Sequence, residues 1–306
     1  MSRLILVPLD GSEFSESALP VALAIARRWE APLEILTVHE SVPTLDHDLW
    51  ETASREWSER YVEGVATRIK EEADVTVVVT PLSGSTGEAI QHHAEARGAD
   101  LVVMATHGRG PMSRFWLGST ADALIRHSTF PILLIRPTSD VAITTTQVFS
   151  PKKVLVPLDG SNEGEAILRH ALALADDPEA HFSLLRVFPY PEEFASSYLP
   201  HTIQVNAEIL KEGEAAAKEY IDKQAAALVA GGVKATGHVS VDASPAAGIL
   251  HFAERTGADL IAMSTHGRSG VSRMLLGSVT DKVIRGAEIP MLVYHPEEVP
   301  SGIPVR

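Results

Sequence analysis

The 306-residue chain contains no cysteine, which excludes disulfide staples, thiolate catalysis and thiolate metal sites. Its stability therefore rests on packing. Basic residues are also in deficit, with 26 Lys and Arg against 40 Asp and Glu and a formal charge of −14. Nonspecific binding to nucleic acid or to anionic lipid needs clustered positive charge, so neither class of partner is expected. No apolar run has the length of a membrane span. The start Met1-Ser2-Arg3 passes at once into the apolar run Leu4 to Leu9, leaving no room for a secretory signal. A cytoplasmic protein with no membrane segment is the expectation. Two familiar phosphate signatures are missing as well: there is no G-x-x-x-x-G-K-[ST], and no G-x-G-x-x-G opens the first helix of either half. An anionic ligand would have to be captured locally, by loops rich in backbone N–H groups.

What is present repeats. Leu6-Val7-Pro8-Leu9-Asp10-Gly11-Ser12 returns letter for letter as Leu155-Val156-Pro157-Leu158-Asp159-Gly160-Ser161, an internal repeat of domain size. Gly98-Ala99-Asp100-Leu101 returns as Gly257-Ala258-Asp259-Leu260, and Thr106-His107-Gly108-Arg109 as Thr265-His266-Gly267-Arg268. The spacing between copies grows from 149 to 159 residues, so the second carries ten more. We place these in an enlarged loop around Tyr190 to Gln204, where the sequence has no clean period. The segmentation expected is a first domain over 1–137, a Thr-rich and proline-bounded linker over 138–151, a second domain over 152–296 and a tail over 297–306.

Each copy alternates short β-rich runs with helical patterns. In the first, strands are expected at Leu4–Leu9, Leu33–His39, Val75–Thr80, Leu101–Ala105 and Ile132–Arg136, with helices at Glu13–Trp29, Asp46–Glu72, Gly87–Arg97 and Leu117–His127. In the second, strands are expected at Lys153–Leu158, His181–Val187, Val233–Val241, Leu260–Ser264 and Met291–Tyr294. Continuous apolar strands such as Leu-Val-Val-Met belong to parallel sheets covered on both faces. The fold class is thus α/β, two tandem doubly wound Rossmann-like domains, each a five-stranded parallel sheet with helices on both faces. In such folds a ligand binds beyond the carboxyl ends of the strands, where the winding reverses.

The residues able to carry chemistry cluster at those ends. After the fourth strand, Ala105-Thr106-His107-Gly108 is followed by nine residues and then Gly118-Ser119-Thr120; the second copy has Ser264-Thr265-His266-Gly267, nine residues, then Gly277-Ser278-Val279. A glycine past a strand, followed by Gly-Ser opening a helix, turns backbone N–H groups and a hydroxyl toward one point that suits phosphate oxygens. A helix entry packed with small residues and capped by Ser119 and Ser278 is the alternative; repetition at one spacing at the switch point favours a ligand site. Arg109, Arg114, Arg268 and Arg273 are either a positive rim or solvated surface. Asp10 and Asp159 end the first strands, where a carboxylate can accept both hydroxyls of a ribose; Asp-Gly-Ser is equally good turn chemistry. Neither His92-His93 nor His107 and His266 form a ligand pair of H-x-x-x-H type, so no metal site is expected. Trp116 beside the Gly-Ser turn reads as packing.

These residues resemble the universal stress protein family, whose ATP-binding members carry G-x2-G-x9-G-[ST] and an aspartate after the first strand. The resemblance runs almost end to end through both copies. It implies strand order 3-2-1-4-5 in each and pairing of the two domains through their fifth strands, with a homodimer also open. It implies adenine held by backbone groups near Val38 and Val187, ribose on Asp10 and Asp159, and Met104 and Met263 flanking the nucleotide. Gly108, Gly118, Ser119 and Thr120 would hold phosphates in the first copy, and Gly267, Gly277, Ser278 and Val279 in the second. Where the pattern has its first glycine this chain has Ala105 and Ser264, a departure that would strain the backbone if positive φ were required.

The function expected is an ATP-binding stress-response module, with Mg2+ accompanying the phosphates, in which nucleotide state changes conformation or partner binding. Neither loop contains the lysine common in phosphoryl-transfer sites, so fast catalysis is not indicated, while slow hydrolysis or autophosphorylation stays open. Two alternatives are an interaction protein that binds no nucleotide and a relative of the adenylyl-transferring ATP pyrophosphatases. The latter would want Ser-Gly-Gly-x-Asp after the first strand, where this chain has Pro-Leu-Asp-Gly-Ser.

Overall fold

The computed structural model describes residues 3–40, 47–106, 117–137, 148–189, 200–265 and 276–296, with the side chains of 47–51, 72, 189 and 200–210 left out. The chain divides into two compact units, one of Met1–Phe149 with Leu292–His295 and one of Ser150–Met291 with Pro296–Arg306; the two sequence repeats are described in turn.

In the first half the order is β1 (Ile5–Pro8), α1 (Glu13–Glu16), α2 (Leu19–Trp29), β2 (Leu33–His39), α3 (His47–Glu72), β3 (Val77–Ser83), α4 (Thr86–Arg97), β4 (Leu101–Ala105), α5 (Ser119–His127) and β5 (Ile132–Ile135). The second half runs β6 (Lys153–Pro157), α6 (Asn162–Glu165), α7 (Ile167–Leu174), β7 (His181–Pro189), α8 (Pro200–Ala230), β8 (Lys234–Asp242), α9 (Pro245–Thr256), β9 (Leu260–Ser264), α10 (Ser278–Gly286) and β10 (Met291–Tyr294). Each half is a parallel sheet of order 3-2-1-4-5: β3-β2-β1-β4-β5 and β8-β7-β6-β9-β10. Ile5 pairs with Leu33 and with Leu101, and Val154 with Phe182 and Leu260, so β1 and β6 are the central strands. All five residues of β4 and of β9 are buried, as strands covered on both faces must be.

The repeated Gly-Ala-Asp-Leu motif has a local role. Gly98 and Gly257 end α4 and α9 at φ 63°, a left-handed turn that glycine makes without penalty. Two residues on, Asp100 accepts the Leu4 N–H at 2.8 Å, and Asp259 accepts those of Lys152 and Lys153 at 2.8 and 3.0 Å. Each aspartate thereby ties the entry of the fourth strand to that of the first.

Three expectations need correction. The single helix foreseen over Glu13–Trp29 is two, α1 and α2, parted at Ser17 and Ala18. Pro20 contributes, since its ring excludes the carbonyl four residues earlier. The second half breaks at Ala166 with Arg169 in the proline's place, so the break does not depend on proline. Second, the enlarged loop foreseen to Gln204 is helix from Pro200 onward, α8 having 31 residues against 26 in α3. Third, the third strand runs to Ser83 rather than Thr80, paired residue by residue with β2 as far as His39. Sheet pairing overrides Pro81 here, because a proline on an edge strand can turn its missing N–H away from the ladder.

Candidate functional site

Asp10 and Asp159 stand just beyond β1 and β6. In both halves a glycine at φ 82° (Gly11) or 81° (Gly160) reverses the chain after the aspartate. The carboxylate Oδ1 then accepts from the next serine: Ser12 donates its N–H at 2.9 Å and its hydroxyl at 2.6 Å to Asp10, and Ser161 donates at 3.0 and 2.5 Å to Asp159. The same serines cap the helices that follow, Ser12 accepting from the Ser15 N–H and Ser161 from that of Gly164. The turn chemistry read from Asp-Gly-Ser is therefore real, and it fixes the direction of a half-buried carboxylate at the carboxyl end of the central strand.

The strand ladders end at the same level. The ladder between β1 and β2 ends at Pro8 and Leu36, and that between β6 and β7 at Pro157 and Leu185. Leu9 and Leu158 make one further bond to those leucine carbonyls, at 2.8 and 2.9 Å. Val38 and Val187 lie beyond these points, on the stretches of β2 and β7 that the central strand no longer covers. Their other edges stay paired, with Leu82 and Ser240.

On the opposite side of β1 and β6 stand the ends of β4 and β9. Met104 and Met263 are buried within these strands, each 6% exposed, and Ala105 and Ser264 are the last strand residues. Glu30 is the only non-glycine at positive φ among the described residues, so alanine and serine are accommodated there without backbone strain. The next residue in each half, Thr106 or Thr265, offers its carbonyl to the N–H of Gly118 at 2.8 Å or Gly277 at 3.0 Å. A Cβ on Gly277 would lie 2.5 Å from the Thr265 oxygen, so glycine there is a steric requirement.

The N–H groups of Gly118 and Gly277 are thus engaged within the protein. The donors the helix geometry offers are those of Ser119 and Thr120 at the start of α5, and of Ser278 and Val279 at the start of α10, since first-turn N–H groups have no partner inside a helix. Among the described residues no side chain caps either helix. Gly108 and Gly267, with Arg109, Arg114, Arg268, Arg273, His107, His266 and Trp116, lie outside the described residues.

The two sites differ in ways the repeat conceals. In the second half the Ser264 hydroxyl donates to the Gly164 carbonyl at 3.4 Å, and the Thr280 hydroxyl to the Ser264 carbonyl at 3.0 Å. These bonds link the end of β9 to α6 and α10. Their first-half counterparts, Ala105 and Ala121, have no hydroxyl. A Cβ on Gly164 would meet Asp159 Oδ1 at 2.6 Å, while its counterpart Ser15 uses its hydroxyl to accept the Asp10 N–H at 3.3 Å. Further out, buried His39 takes a 2.9 Å bond between Nδ1 and the Ser54 hydroxyl of α3, and its Nε2 has no hydrogen-bond partner among the described residues. The second half replaces this pair with Phe188 and Gly213, the ring filling the room the glycine leaves.

Sequence reasoning passed over a further pair. Glu16 accepts the Tyr61 hydroxyl at 2.8 Å and the Arg68 guanidinium at 2.7 Å. Glu165 accepts the Tyr220 hydroxyl and the Gln224 amide, both at 2.8 Å. Burial first, then the bonded carboxylate, pushes both phenols above their ordinary range, and the charges of Asp10 and Asp159 add to the shift. The repeat itself carried the signal, since glutamate and tyrosine recur at matching places in both copies. Among the described residues no group of three or more His, Asp or Glu side chains could hold a metal ion. Nor is any described helix long and apolar enough to cross a membrane.

Comparison with known proteins agrees with this architecture. The sequence profile of the universal stress protein family matches residues 1–136 and again 151–295. A universal stress protein of Methanocaldococcus jannaschii is 34% identical over 142 residues, which is 46% of this chain and 81% of that protein. One from Mycobacterium tuberculosis is 31% identical over 201 residues, 64% of this chain and 61% of that protein. Among solved structures, a universal stress protein from Archaeoglobus fulgidus superposes with a TM-score of 0.66 at 21% identity, over 97% of this chain and 100% of that one; at that identity the likeness concerns the fold.

Proposed function

The chain belongs to the universal stress protein family, with two family domains in tandem, and from that premise we propose that each half binds an adenine nucleotide, ATP in the first instance, as a regulatory rather than a rapidly turning-over ligand. The observation that carries the reading is the duplicated switch point. In both halves a carboxylate with its direction fixed by the next serine stands just beyond the central strand, while a helix start that no described side chain caps follows the neighbouring fourth strand. Brought together across adjacent parallel strands, these groups suit the two ends of a nucleoside phosphate: acceptors for ribose hydroxyls and N–H donors for phosphate oxygens. Val38 and Val187, beyond the end of the central ladder, would border the base. Met104 and Met263 would supply apolar floor.

The donor set also bears on Mg2+. With no cluster of described side chains able to hold a metal, a cation would be carried mainly by the phosphates, neutralising charge in a chain of net −14. Nucleotide binding would then bias the loops around the strand ends and so change what the protein presents to a partner, in the cytoplasm if the cysteine-free composition reflects its compartment.

Calorimetry of Mg-ATP into the full, nucleotide-stripped chain tests this. A dissociation constant between about 1 mM and below 1 μM, near −4 to −8 kcal/mol or somewhat stronger, is expected for at least one half. A folded protein that gives no heat and displaces no fluorescent ATP analogue would remove the proposal.

A further inference from the structure

Both halves join a half-buried phenol to the strand-end aspartate through a short relay, although the partners come from distant parts of the chain. In the first, Asp10 is held by Ser12, Ser12 caps α1, and α1 ends at Glu16, whose carboxylate is gripped by Tyr61 of α3. The second repeats each link with Asp159, Ser161, α6, Glu165 and Tyr220 of α8. The helices between are four residues long, one turn, too short to hold themselves in water. What keeps the turn in place is its packing and the bond to the long helix behind it.

A comparison of the two halves separates the essential part of this arrangement from the replaceable part. The second donor to the glutamate is Arg68 in one half and Gln224 in the other, arriving from different turns of the long helix. The place of Arg68 holds Ala227 in the second copy, and that of Gln224 holds Val65 in the first. Glutamate and tyrosine are unchanged, with the same 2.8 Å bond. Satisfying a buried carboxylate needs donors of some kind, and the chain has found two solutions for one of them; for the phenol it has kept one.

Resting on the nucleotide reading above, we infer that Tyr61 and Tyr220 are positioning residues for ribose recognition: each fixes the one-turn helix whose capping serine sets the direction of Asp10 or Asp159. The phenols touch no nucleotide. They act by holding a carboxylate where two ribose hydroxyls can reach it, so their removal should be felt at the 2′-hydroxyl and not at the phosphates.

The test compares Mg-ATP with Mg-2′-deoxy-ATP by calorimetry on the full chain, in the parent and in the Tyr61→Phe/Tyr220→Phe variant, with circular dichroism to show that both are folded. The parent is expected to prefer ATP. In the variant ATP should weaken roughly three- to tenfold, in line with the loss of one ordinary hydrogen bond, while 2′-deoxy-ATP changes less than twofold, so the preference shrinks. Equal weakening of both ligands, or none, overturns the inference and leaves the phenols as structural ties. A parent that binds neither nucleotide overturns the nucleotide reading itself. Should the phenylalanine variant fail to fold, Glu16→Gln/Glu165→Gln takes its place. Glutamine keeps an acceptor oxygen for the phenol, so the preference for ATP should survive, and its loss in a folded variant refutes the relay.

Discussion

Glu34 on β2 is a buried carboxylate of the first half, and its replacement by glutamine gives a sharp test of what holds that half together. It is 1% exposed. Thr80 donates to it at 2.6 Å from β3; His93 lies at 2.7 Å and Arg97 at 3.3 Å on α4. Burial by itself would raise the carboxyl pKa, but the bonds from Thr80 and His93 and the charges of His93 and Arg97 outweigh it and hold Glu34 below the usual carboxylate range. Glutamine keeps the shape and an acceptor for Thr80, yet turns an amide donor toward His93 or Arg97. A bond to a charged group contributes about 1.5–3 kcal/mol; the Arg97 contact is discounted to under about 1 kcal/mol because that side chain is half exposed. The expected loss at pH 7 is about 2–4 kcal/mol, below the roughly 3–5 kcal/mol for stripping a buried pair of one partner. All four tryptophans lie before residue 137, so their fluorescence during urea unfolding follows the first half. At a slope of about 2 kcal/mol/M the midpoint should fall by about 1–2 M. Because the folded pKa is depressed, this stabilisation is fully present above the unfolded value of about 4.3 and is lost as pH falls through the lower folded value. The gap between parent and variant should be constant from pH 7 to 5 and narrow below. A gap under about 0.5 kcal/mol at pH 7, or one of the same size throughout the acid range, would refute the reasoning.

The second half should titrate in a different window. The strand register puts His238 and Ser183 where the first half has Thr80 and Glu34, and His238 packs 5.0 Å from Phe252. Burial first, then neighbouring positive charge, lowers the pKa of His238, and the same order of causes pushes His170 down to about 4. A depressed histidine favours the folded state above its unfolded pKa of about 6.5 and ceases to do so as pH falls toward the folded value. Hydrogen exchange read by mass spectrometry should therefore show protection of β7 and β8 declining between pH 7 and 5, while β2 and β3 hold. In the same half, Gly213→Ser would bring a side chain against Phe188, whose Cζ is 2.5 Å from the added Cβ, for an expected loss of about 1–3 kcal/mol. Phe188→His, recreating the His39–Ser54 pair, should recover much of it in a double-mutant cycle; additive losses would deny the coupling. Asp159→Ala should weaken Mg-ATP at the second site roughly ten- to hundredfold, the loss of at least one bond to a charged acceptor. Unchanged affinity by calorimetry would exclude Asp159 from the site.

Much of the fold could be read along the chain because its evidence is local. Leu33–His39, Leu101–Ala105, Leu260–Ser264 and Met291–Tyr294 were each expected as strands with the bounds observed, since a continuous apolar run of that length with clear punctuation has few other uses. The break between α1 and α2 and the length of β3 were missed for the opposite reason. Helical periodicity continues across the first, so pattern alone hides it, and pairing with β2 carries the second through a proline that propensity would treat as a stop.

Order and spacing along the chain established that there are two copies, that each alternates strand and helix, and that Asp10, Asp159 and the Gly-Ser helix starts recur in both. These are facts of order and period, and short-range chemistry is enough to express them. The three-dimensional fold alone showed that the Gly118 and Gly277 N–H groups bond Thr106 and Thr265, so that the first donors without an intrahelical partner are those of the residues that follow. It alone joined Glu16 to Tyr61 across 45 positions and Glu34 to His93 across 59. It also showed His39 with Ser54 replaced by Phe188 with Gly213. Each of these is a contact between elements that chain periodicity keeps independent; only packing them against one sheet brings the partners within bonding range.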